Sequence, residues 1–304
     1  MTEQDIRSTP DILAKTITRA AEWREMSAPW LAGPLVVLGC GSSHCVSLAG
    51  AALYEAQRHA PAQAVQPTDY CPRPDWTHLA ISRTGQTTEL VTAMRRAKEA
   101  GARVLLLEGA PDSPAAAYAD ARLPLEFAPE QGIIQTRFVS AALLALRLLC
   151  GDAANQHALA DLPHRLAQGL AHFVPPAFTA TPHLVFLGRD WRYGLARAAA
   201  VHLQETALLA PEVHQTLDYR HGPIAAADER TLLWCFDPPE ETDSRAVLEA
   251  VRRTGASVRC TPDDPLISLA QAQLMAVNMA RAHGVDPDAP RHLSRAIVLP
   301  AGEA

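Results

Sequence analysis

Residues 34–44 read PLVVLGCGSSH and are followed at 47–57 by SLAGAALYEAQ. The first stretch is a short β-branched run that ends in a glycine-bearing turn, and the second places apolar residues at helical spacing. Together they predict a strand, a loop and a helix. The same order returns in HLVFLGRDWRYG at 183–194, which is followed by LARAAAVHLQETALL at 195–209.

A second pair of segments also matches. Residues 87–109 (TTELVTAMRRAKEAGARVLLLEG) and 242–264 (TDSRAVLEAVRRTGASVRCTPDD) each predict an amphipathic helix that ends at a glycine and is followed by a strand. Strands that alternate with helices in an internal repeat of this length favour parallel sheets. We therefore expect an α/β fold of two tandem doubly wound domains, with mainly parallel sheets flanked by helices.

The predicted boundaries follow from composition. Residues 1–30 are rich in helix formers and are expected to be an N-terminal helical lead-in. The segment 151–180 reads as helix followed by a proline-bearing link, which puts the boundary near Pro175 and Pro176. The first domain is then expected to span residues 31–175 and the second residues 176–304.

Composition also narrows the function. The chain has 304 residues, is 48% hydrophobic and carries a net charge of −6 from dispersed charges, so no nucleic-acid-binding surface is predicted. An apolar run of about 18 residues and a signal-peptide pattern are both missing, so we expect a cytoplasmic protein without membrane association. The six cysteines have neither CxxC pairing nor nearby histidines at ligand spacing, so no metal site is expected.

Residues 82–89 read SRTGQTTE and follow a short apolar run. Small hydroxyl residues and a glycine at the start of a helix can hold an anion, because the backbone can approach closely and the first helix turn offers free N–H groups. The same residue types also serve as ordinary helix caps. Both this turn and GCGSSH lie where strands end, and such loops converge on one crevice in a parallel sheet, which favours an anion site.

Six short motifs carry a resemblance to a known family, in one order along the chain. They are GCGSS (39–43), SRTGQTTE (82–89), EQGIIQTR (130–137), HLQE (202–205), YRHGP (219–223) and VDPDAPRHLSR (285–295). On these motifs the chain resembles the two-lobed sugar isomerase (SIS) proteins. It is similar to the isomerase half of glucosamine-6-phosphate synthases and to tagatose-6-phosphate ketose/aldose isomerases, from about residue 30 to residue 300.

The resemblance implies a phosphorylated sugar held by the first domain. It assigns the phosphate to the two turns, through Gly41, Ser42, Ser43, Ser82, Thr84 and Thr87. Arg83 departs from the glutamine usual at its position, and a guanidinium there predicts bidentate binding of a phosphate or sulfonate. A solvent-facing arginine is the other interpretation.

EQGIIQTR resembles the loop that closes over the sugar. The resemblance implies that Glu130, Ile133 and Gln135 line the ligand, the last two partly through backbone groups. Gln135 replaces a serine, so hydroxyl recognition at that position is open.

The expected catalytic base is Glu205. Proton transfer between C1 and C2 of a sugar needs a carboxylate with a tuned pKa, and Glu205 lies in an otherwise apolar helix where an unpaired charge is costly. The family places its isomerising glutamate here. His221, before Gly222 and Pro223, can open the cyclic sugar, and in relatives it reaches the site from a neighbouring subunit, which implies a homodimer.

Two further positions depart from the family. His202 and Arg295 stand where the synthase has lysines that assist ring opening and bind substrate near C1 and C2. Both are still expected to take part in catalysis, but a mechanism through a lysine imine at these positions is excluded, because arginine forms no Schiff base. The substituent at C2, amino or hydroxyl, stays open.

We thus predict an aldose–ketose isomerase that acts on a phosphorylated hexose or amino-hexose through an enediol. The alternatives are a deaminase or deglycase that shares the first proton transfer, and a sugar-phosphate-binding regulator without catalysis. The chain begins Met1-Thr2-Glu3 and its first cysteine is Cys40, so no glutaminase activity is expected. No metal or redox cofactor is implied, since GCGSSH lacks dinucleotide-binding spacing.

Overall fold

A computed structural model describes residues 1–176, 182–260 and 263–300. The predicted lead-in is helical, forming α1 (Thr2–Arg7) and α2 (Thr9–Ser27). Five strands form the first sheet, and they are β1 (Leu35–Leu38), β2 (Ala62–Val65), β3 (Thr77–Ser82), β4 (Arg103–Glu108) and β5 (Ala121–Pro124). All are parallel, in the order β2-β1-β3-β4-β5.

Helices connect these strands and continue beyond them. They are α3 (Ser42–Arg58), α4 (Thr88–Glu99), α5 (Arg137–Cys150), α6 (Ala153–Leu159) and α7 (Leu162–Ala171). The proline-bearing link predicted after α7 falls partly on residues 177–181, which lie outside the described residues.

The second sheet has four parallel strands in the order β7-β6-β8-β9. Its elements are β6 (His183–Gly188), α8 (Asp190–Ala207), β7 (Glu212–Gln215), β8 (Thr231–Cys235), α9 (Thr242–Arg252), β9 (Ser257–Cys260) and α10 (Pro265–Ala282). The strands alternate with helices as expected, so the prediction of an α/β fold with parallel sheets flanked by helices is confirmed. Residues 261 and 262, within the segment predicted to hold the last strand, lie outside the described residues.

The core explains why the central strands are apolar throughout. Every residue of β1, β3 and β8 is buried, because helices cover both faces of each sheet. The main hydrophobic cluster joins the inner faces of both sheets through α3, α5, α8 and α10. Smaller clusters lie on the outer faces, under α4 on the first sheet and under α9 on the second.

Helices α3 and α8 lie very close together, and a glycine makes this possible. A Cβ on Gly194 of α8 would lie 2.6 Å from the carbonyl oxygen of Cys45 and 2.7 Å from the backbone nitrogen of Ala49, both on α3. This approach carries α8, with Glu205 near its end, against the helix that follows the GCGSS loop. Glu205, from the second half of the chain, thereby lies at the edge of the first sheet where its site loops begin.

The connections change direction at the centre of the first sheet. Strand β1 pairs with β2 on one side and with β3 on the other, so the loops after β1 and β3 lead away in opposite directions and leave a crevice between them. Within the described ranges, no helix is long and apolar enough to cross a bilayer. In the same ranges, no three His, Cys, Asp or Glu side chains converge as a metal ion would need.

Candidate active site

A cavity of about 200 Å³ lies in the crevice beyond the carboxyl ends of β1 and β3. Five segments distant in sequence contribute its walls: the loop after β1, the loop after β3, the loop before α5, helix α8 and the C-terminal tail (residues 291–300). The lining residues are Cys40, Gly41, Ser42, Arg83, Thr87, Ile133, Ile134, Gln135, Glu205, Leu293, Ser294, Arg295, Ala296 and Ile297.

The loop after β1 turns sharply into α3. Gly41 has φ +54°, a left-handed conformation that favours glycine, and no atom lies within 4 Å of where its Cβ would be. Ser42 follows it in the first turn of α3 and lines the cavity, where the helix N-terminus attracts anions. Ser43, the other predicted phosphate residue of this loop, is buried and is not part of the lining.

The loop after β3 uses part of its hydroxyls to fix its own shape. The Ser82 hydroxyl accepts a hydrogen bond of 2.8 Å from the Gly85 N–H, and the Thr84 hydroxyl accepts one of 3.4 Å from the Gln86 N–H. Neither Ser82 nor Thr84 lines the cavity, whereas Thr87, at the start of α4, does. The structure therefore brings Thr87 to the predicted anion site and gives the other two hydroxyls to the turn.

Arg83 lines the cavity, as expected, and bidentate binding of an anion by its guanidinium stays a prediction. Its Nη1 donates to the carbonyl oxygen of Ile133 (2.7 Å) and its Nη2 to the carbonyl oxygen of Arg295 (2.8 Å). Each of these nitrogens carries a second N–H, so the two bonds leave donors that an anion could still accept from. Nε, which is buried, has no partner among the described residues. Arg83 is also not solvent-facing, since it is 8% exposed.

Arg295 forms the reciprocal link. Its Nη1 and Nη2 donate to the carbonyl oxygens of Glu130 (3.1 Å) and Gln131 (2.7 Å), while its own carbonyl accepts from Arg83. The two guanidiniums thus join the C-terminal tail to residues 130–136, the loop before α5, which we call the 130–136 loop. Arg295 lines the cavity, two of its donors hold this loop, and its contact with a sugar near C1 and C2 stays a prediction.

Glu130 holds the 130–136 loop from behind. It does not line the cavity, in contrast to the expectation that it contacts the ligand. Its carboxylate accepts bonds from the N–H groups of Thr136 (2.6 Å) and Phe138 (2.9 Å) and from the Thr136 hydroxyl (2.9 Å). Burial, together with the nearby charge of Asp5, raises the pKa of Glu130 to about 7 against these hydrogen bonds. Ile133 and Gln135, the other two predicted residues of this loop, line the cavity.

Glu205 is the lining residue with a carboxyl group. Burial raises its pKa to about 7, and the positive charge of Arg83 opposes that rise. A carboxyl group with a pKa near neutrality can both accept and return a proton under physiological conditions.

The two predicted histidines lie elsewhere. His202, one turn before Glu205, is 2% exposed and its Nδ1 lies 3.1 Å from the Thr206 hydroxyl. Burial lowers its pKa to about 3, so the imidazole is neutral, and it is not part of the lining, which argues against the expected catalytic role. His221 is exposed in a short 3₁₀ turn (Asp218–His221) and is also not part of this chain's cavity.

Sequence reasoning missed several wall residues. Four come from the tail beside Arg295, and they are Leu293, Ser294, Ala296 and Ile297. Two of these fall within the VDPDAPRHLSR motif, but Ala296 and Ile297 follow it and no local pattern marks them. Cys40 also lines the cavity, where burial raises its thiol pKa to about 12, so it is no nucleophile in this state.

Comparison with known proteins agrees with this geometry. Residues 32–150 match the family model of the SIS domain. This part of the chain, which is less than half of it, is a SIS domain. This stretch includes the loops after β1 and β3 and the 130–136 loop, whereas Glu205 and the tail lie beyond it.

Curated proteins similar to this chain are glutamine–fructose-6-phosphate aminotransferases (isomerizing). The alignment with the protein of Pseudomonas aeruginosa is 313 residues long and shows 25% identity. It covers 86% of this chain and 51% of the relative. That of Xylella fastidiosa is 24% identical and covers 98% of this chain and 58% of the relative. The chain spans about half the length of the curated relatives it matches.

Solved structures share the fold of this chain along nearly its whole length. A glucosamine-6-phosphate deaminase from Thermotoga maritima has a TM-score of 0.82 at 22% identity, covering 98% of this chain and 99% of that one. A tagatose-6-phosphate ketose/aldose isomerase from Escherichia coli has a TM-score of 0.79 at 18% identity, covering 99% and 97%.

The raised pKa of Glu205 predicts a pH-dependent stability. Because the folded pKa of about 7 exceeds the ordinary glutamate pKa of 4.5, the cost of burying the charge is small at low pH and fully present above pH 7. Glu205→Gln should therefore raise the free energy of unfolding at pH 8 more than at pH 5, by about 1–2 kcal/mol, since partial exposure reduces the full effect of the shift. Urea denaturation at both pH values measures this difference.

The matched control is Glu25→Gln, which changes an exposed carboxylate on α2. It should alter the free energy of unfolding equally and only slightly at the two pH values. An equal effect of Glu205→Gln at both would mean that Glu205 is ionised at little cost in the folded protein.

Proposed function

We propose that this protein is an aldose–ketose isomerase for a phosphorylated hexose or amino-hexose. The observation that carries the proposal is Glu205, a carboxyl group with a pKa near 7 in the wall of a cavity whose size suits a small ligand. The SIS domain and the sugar-phosphate enzymes among the relatives support it. A sugar-phosphate-binding regulator would not need such a group.

The proposed reaction begins with the open-chain sugar. The ionised Glu205 takes the proton from C2 of the aldose, and the C2–H electron pair forms the C1–C2 double bond of an enediol as the carbonyl oxygen gains a proton. Glu205 then returns its proton to C1, while the O2–H proton is lost and C2 becomes the carbonyl of the ketose. One carboxyl group serves both steps, because at a pKa near neutrality both its ionised and its protonated forms are populated.

The phosphate is proposed to lie at the starts of α3 and α4. Ser42 and Thr87 line the cavity there, and the N-termini of two helices favour an anion. Glycine at position 41 lets the backbone come close to the ligand. Arg83 and Arg295 also line the cavity and would contribute positive potential, while one donor of each Nη holds a backbone carbonyl.

His221 is proposed to act from a second copy of the chain. Its exposure on this chain leaves the ring available to a neighbouring molecule, and a twofold dimer would supply two such sites. In this arrangement each sheet with its helices is one domain, residues 31–175 and 176–304, and the site uses both domains of one chain and one histidine of the other.

A deaminase acting on an amino-hexose phosphate is the second candidate, because the fold neighbour from Thermotoga maritima is a glucosamine-6-phosphate deaminase. It would share the proton transfer by Glu205 and differ in releasing ammonia from C2. The product of the reaction separates the two activities.

Proton exchange in deuterated water tests the catalytic role of Glu205. Purified protein incubated with fructose 6-phosphate, glucose 6-phosphate, tagatose 6-phosphate or glucosamine 6-phosphate should introduce deuterium at C1 or C2, followed by NMR. Glu205→Gln should reduce this exchange at least about 1,000-fold with binding nearly unchanged, because the amide cannot accept the proton. Exchange at the wild-type rate would remove Glu205 from the mechanism, and binding without any exchange in the wild type would favour the regulator.

The phosphate site is tested by binding. Ser42→Ala combined with Thr87→Val should weaken fructose 6-phosphate binding about tenfold or more, because two hydrogen bonds to a charged group are lost, and should scarcely affect neutral fructose. Gln135→Ala, which changes a different wall of the cavity, is the control and should affect both sugars alike. An equal loss for both sugars in the double variant contradicts a phosphate at this place. Isothermal titration calorimetry gives the affinities.

Mixed dimers test the partner histidine. Glu205→Gln and His221→Asn should each be inactive alone, yet their co-purified mixture should recover roughly a quarter of wild-type activity, because about half of the dimers then hold one complete site. Two differently tagged chains allow the mixed dimer to be isolated and assayed with whichever phosphosugar the wild type converts. An inactive mixed dimer would mean that His221 does not act across the interface.

A further inference from the structure

The 130–136 loop has to hold its shape without a strand or helix of its own, and part of its support comes from the N-terminal helix. The N–H groups of Gln131 and Gly132 donate to one oxygen, Oδ2, of Asp5, at 2.8 and 2.9 Å. Asp5 lies on α1, is fully buried and does not line the cavity. The proposed mechanism has no role for this carboxylate.

A buried arginine balances the charge of Asp5. Arg137, the first residue of α5, places Nη2 2.9 Å from Asp5 Oδ1 and donates from Nη1 to the Ser8 hydroxyl at 2.8 Å. Its Nε donates to the Pro129 carbonyl, just before the loop. Removal of one member of such a buried pair leaves the other charge uncompensated, so the arrangement is sensitive to small changes.

Helix α1 also holds the segment that leads into the C-terminal tail. The Thr2 N–H donates to Asp288 Oδ1 (2.7 Å) and the Thr2 hydroxyl to the Pro287 carbonyl (3.2 Å). An ion pair of 2.6 Å joins Glu3 to Arg281 near the end of α10. One short helix thus contacts the 130–136 loop and the segment that leads into the C-terminal tail.

We propose that α1 is a clasp for the active site and that Asp5 is its positioning residue. Asp5 fixes the backbone of Gln131 and Gly132 from outside. This places Ile133 and Gln135 at the cavity and keeps the backbone carbonyls of the loop within reach of Arg83 and Arg295. The clasp controls ligand affinity without touching the ligand. Its link to a sugar phosphate rests on the proposed function, whereas its effect on the loop does not.

Backbone amide exchange tests the clasp directly. In Asp5→Asn the side chain keeps its shape but loses its charge, and the amides of Gln131 and Gly132 should exchange with deuterium about tenfold faster without ligand, since a charge-assisted hydrogen bond is weakened. The amides of β1 should keep their wild-type rates. The affinity of Asp5→Asn for fructose 6-phosphate should be about tenfold lower than that of the wild type.

Two further variants control this experiment. Glu3→Gln, on the same helix, removes the surface ion pairs with Arg7 and Arg281 and should leave the Gln131 and Gly132 amides unchanged. If Asp5→Asn does not fold, Thr2→Val gives a milder change: it removes the bond to Pro287, should speed exchange around residues 287 and 288, and should weaken fructose 6-phosphate binding.

The outcomes separate the clasp from a general effect on stability. A uniform rise in exchange across the chain, or unchanged exchange at Gln131 and Gly132, overturns the proposal, and so does local loosening with unchanged affinity for fructose 6-phosphate. If the wild type binds no sugar phosphate, the proposed function fails, while the exchange rates without ligand still decide whether Asp5 positions the loop.

Discussion

The active-site cavity depends on the burial of one guanidinium. Arg83 lies at the end of β3, where water is largely excluded, and its donors reach the carbonyl oxygens of Ile133 and Arg295, residues 50 and 212 positions away in the chain. Desolvation of a charged group is costly, so it persists only where hydrogen bonds and opposite charges compensate it. The carbonyls of Ile133 and Arg295 supply the hydrogen bonds, and Glu130 and Glu205 supply the opposite charges. Arg83 thereby connects wall and base in one arrangement.

The 130–136 loop shows how a segment without regular structure can be held rigidly. Carboxylates of Asp5 and Glu130 accept its N–H groups on one side, while guanidiniums of Arg83 and Arg295 donate to its carbonyls on the other. Hydrogen bonds to charged groups are stronger than bonds between neutral groups. These bonds use the backbone of the loop, so the side chains of Ile133 and Gln135 are available to contact a ligand in the cavity.

Two acidic residues share a raised pKa but not a role. Glu130 is fixed by three hydrogen bonds and stays behind the loop, whereas Glu205 faces the cavity with Arg83 as the charge that acts on it. The same shift therefore marks a structural group in one case and the proposed base in the other. Geometry separates them, because only Glu205 lies where a sugar carbon could approach.

The sequence by itself determined the α/β alternation, the parallel sheets and the positions of the site loops, because hydrophobic periodicity and glycine-bearing turns are local properties. The motifs also pointed to Ser42, Thr87 and Glu205, which line one cavity in the structure. Tertiary structure alone decided how the other polar groups are used. Arg83 and Arg295 bind backbone carbonyls, and Asp5 reaches the loop from α1. Each of these three residues has a partner more than a hundred positions away in the chain, and no local sequence pattern specifies such a contact.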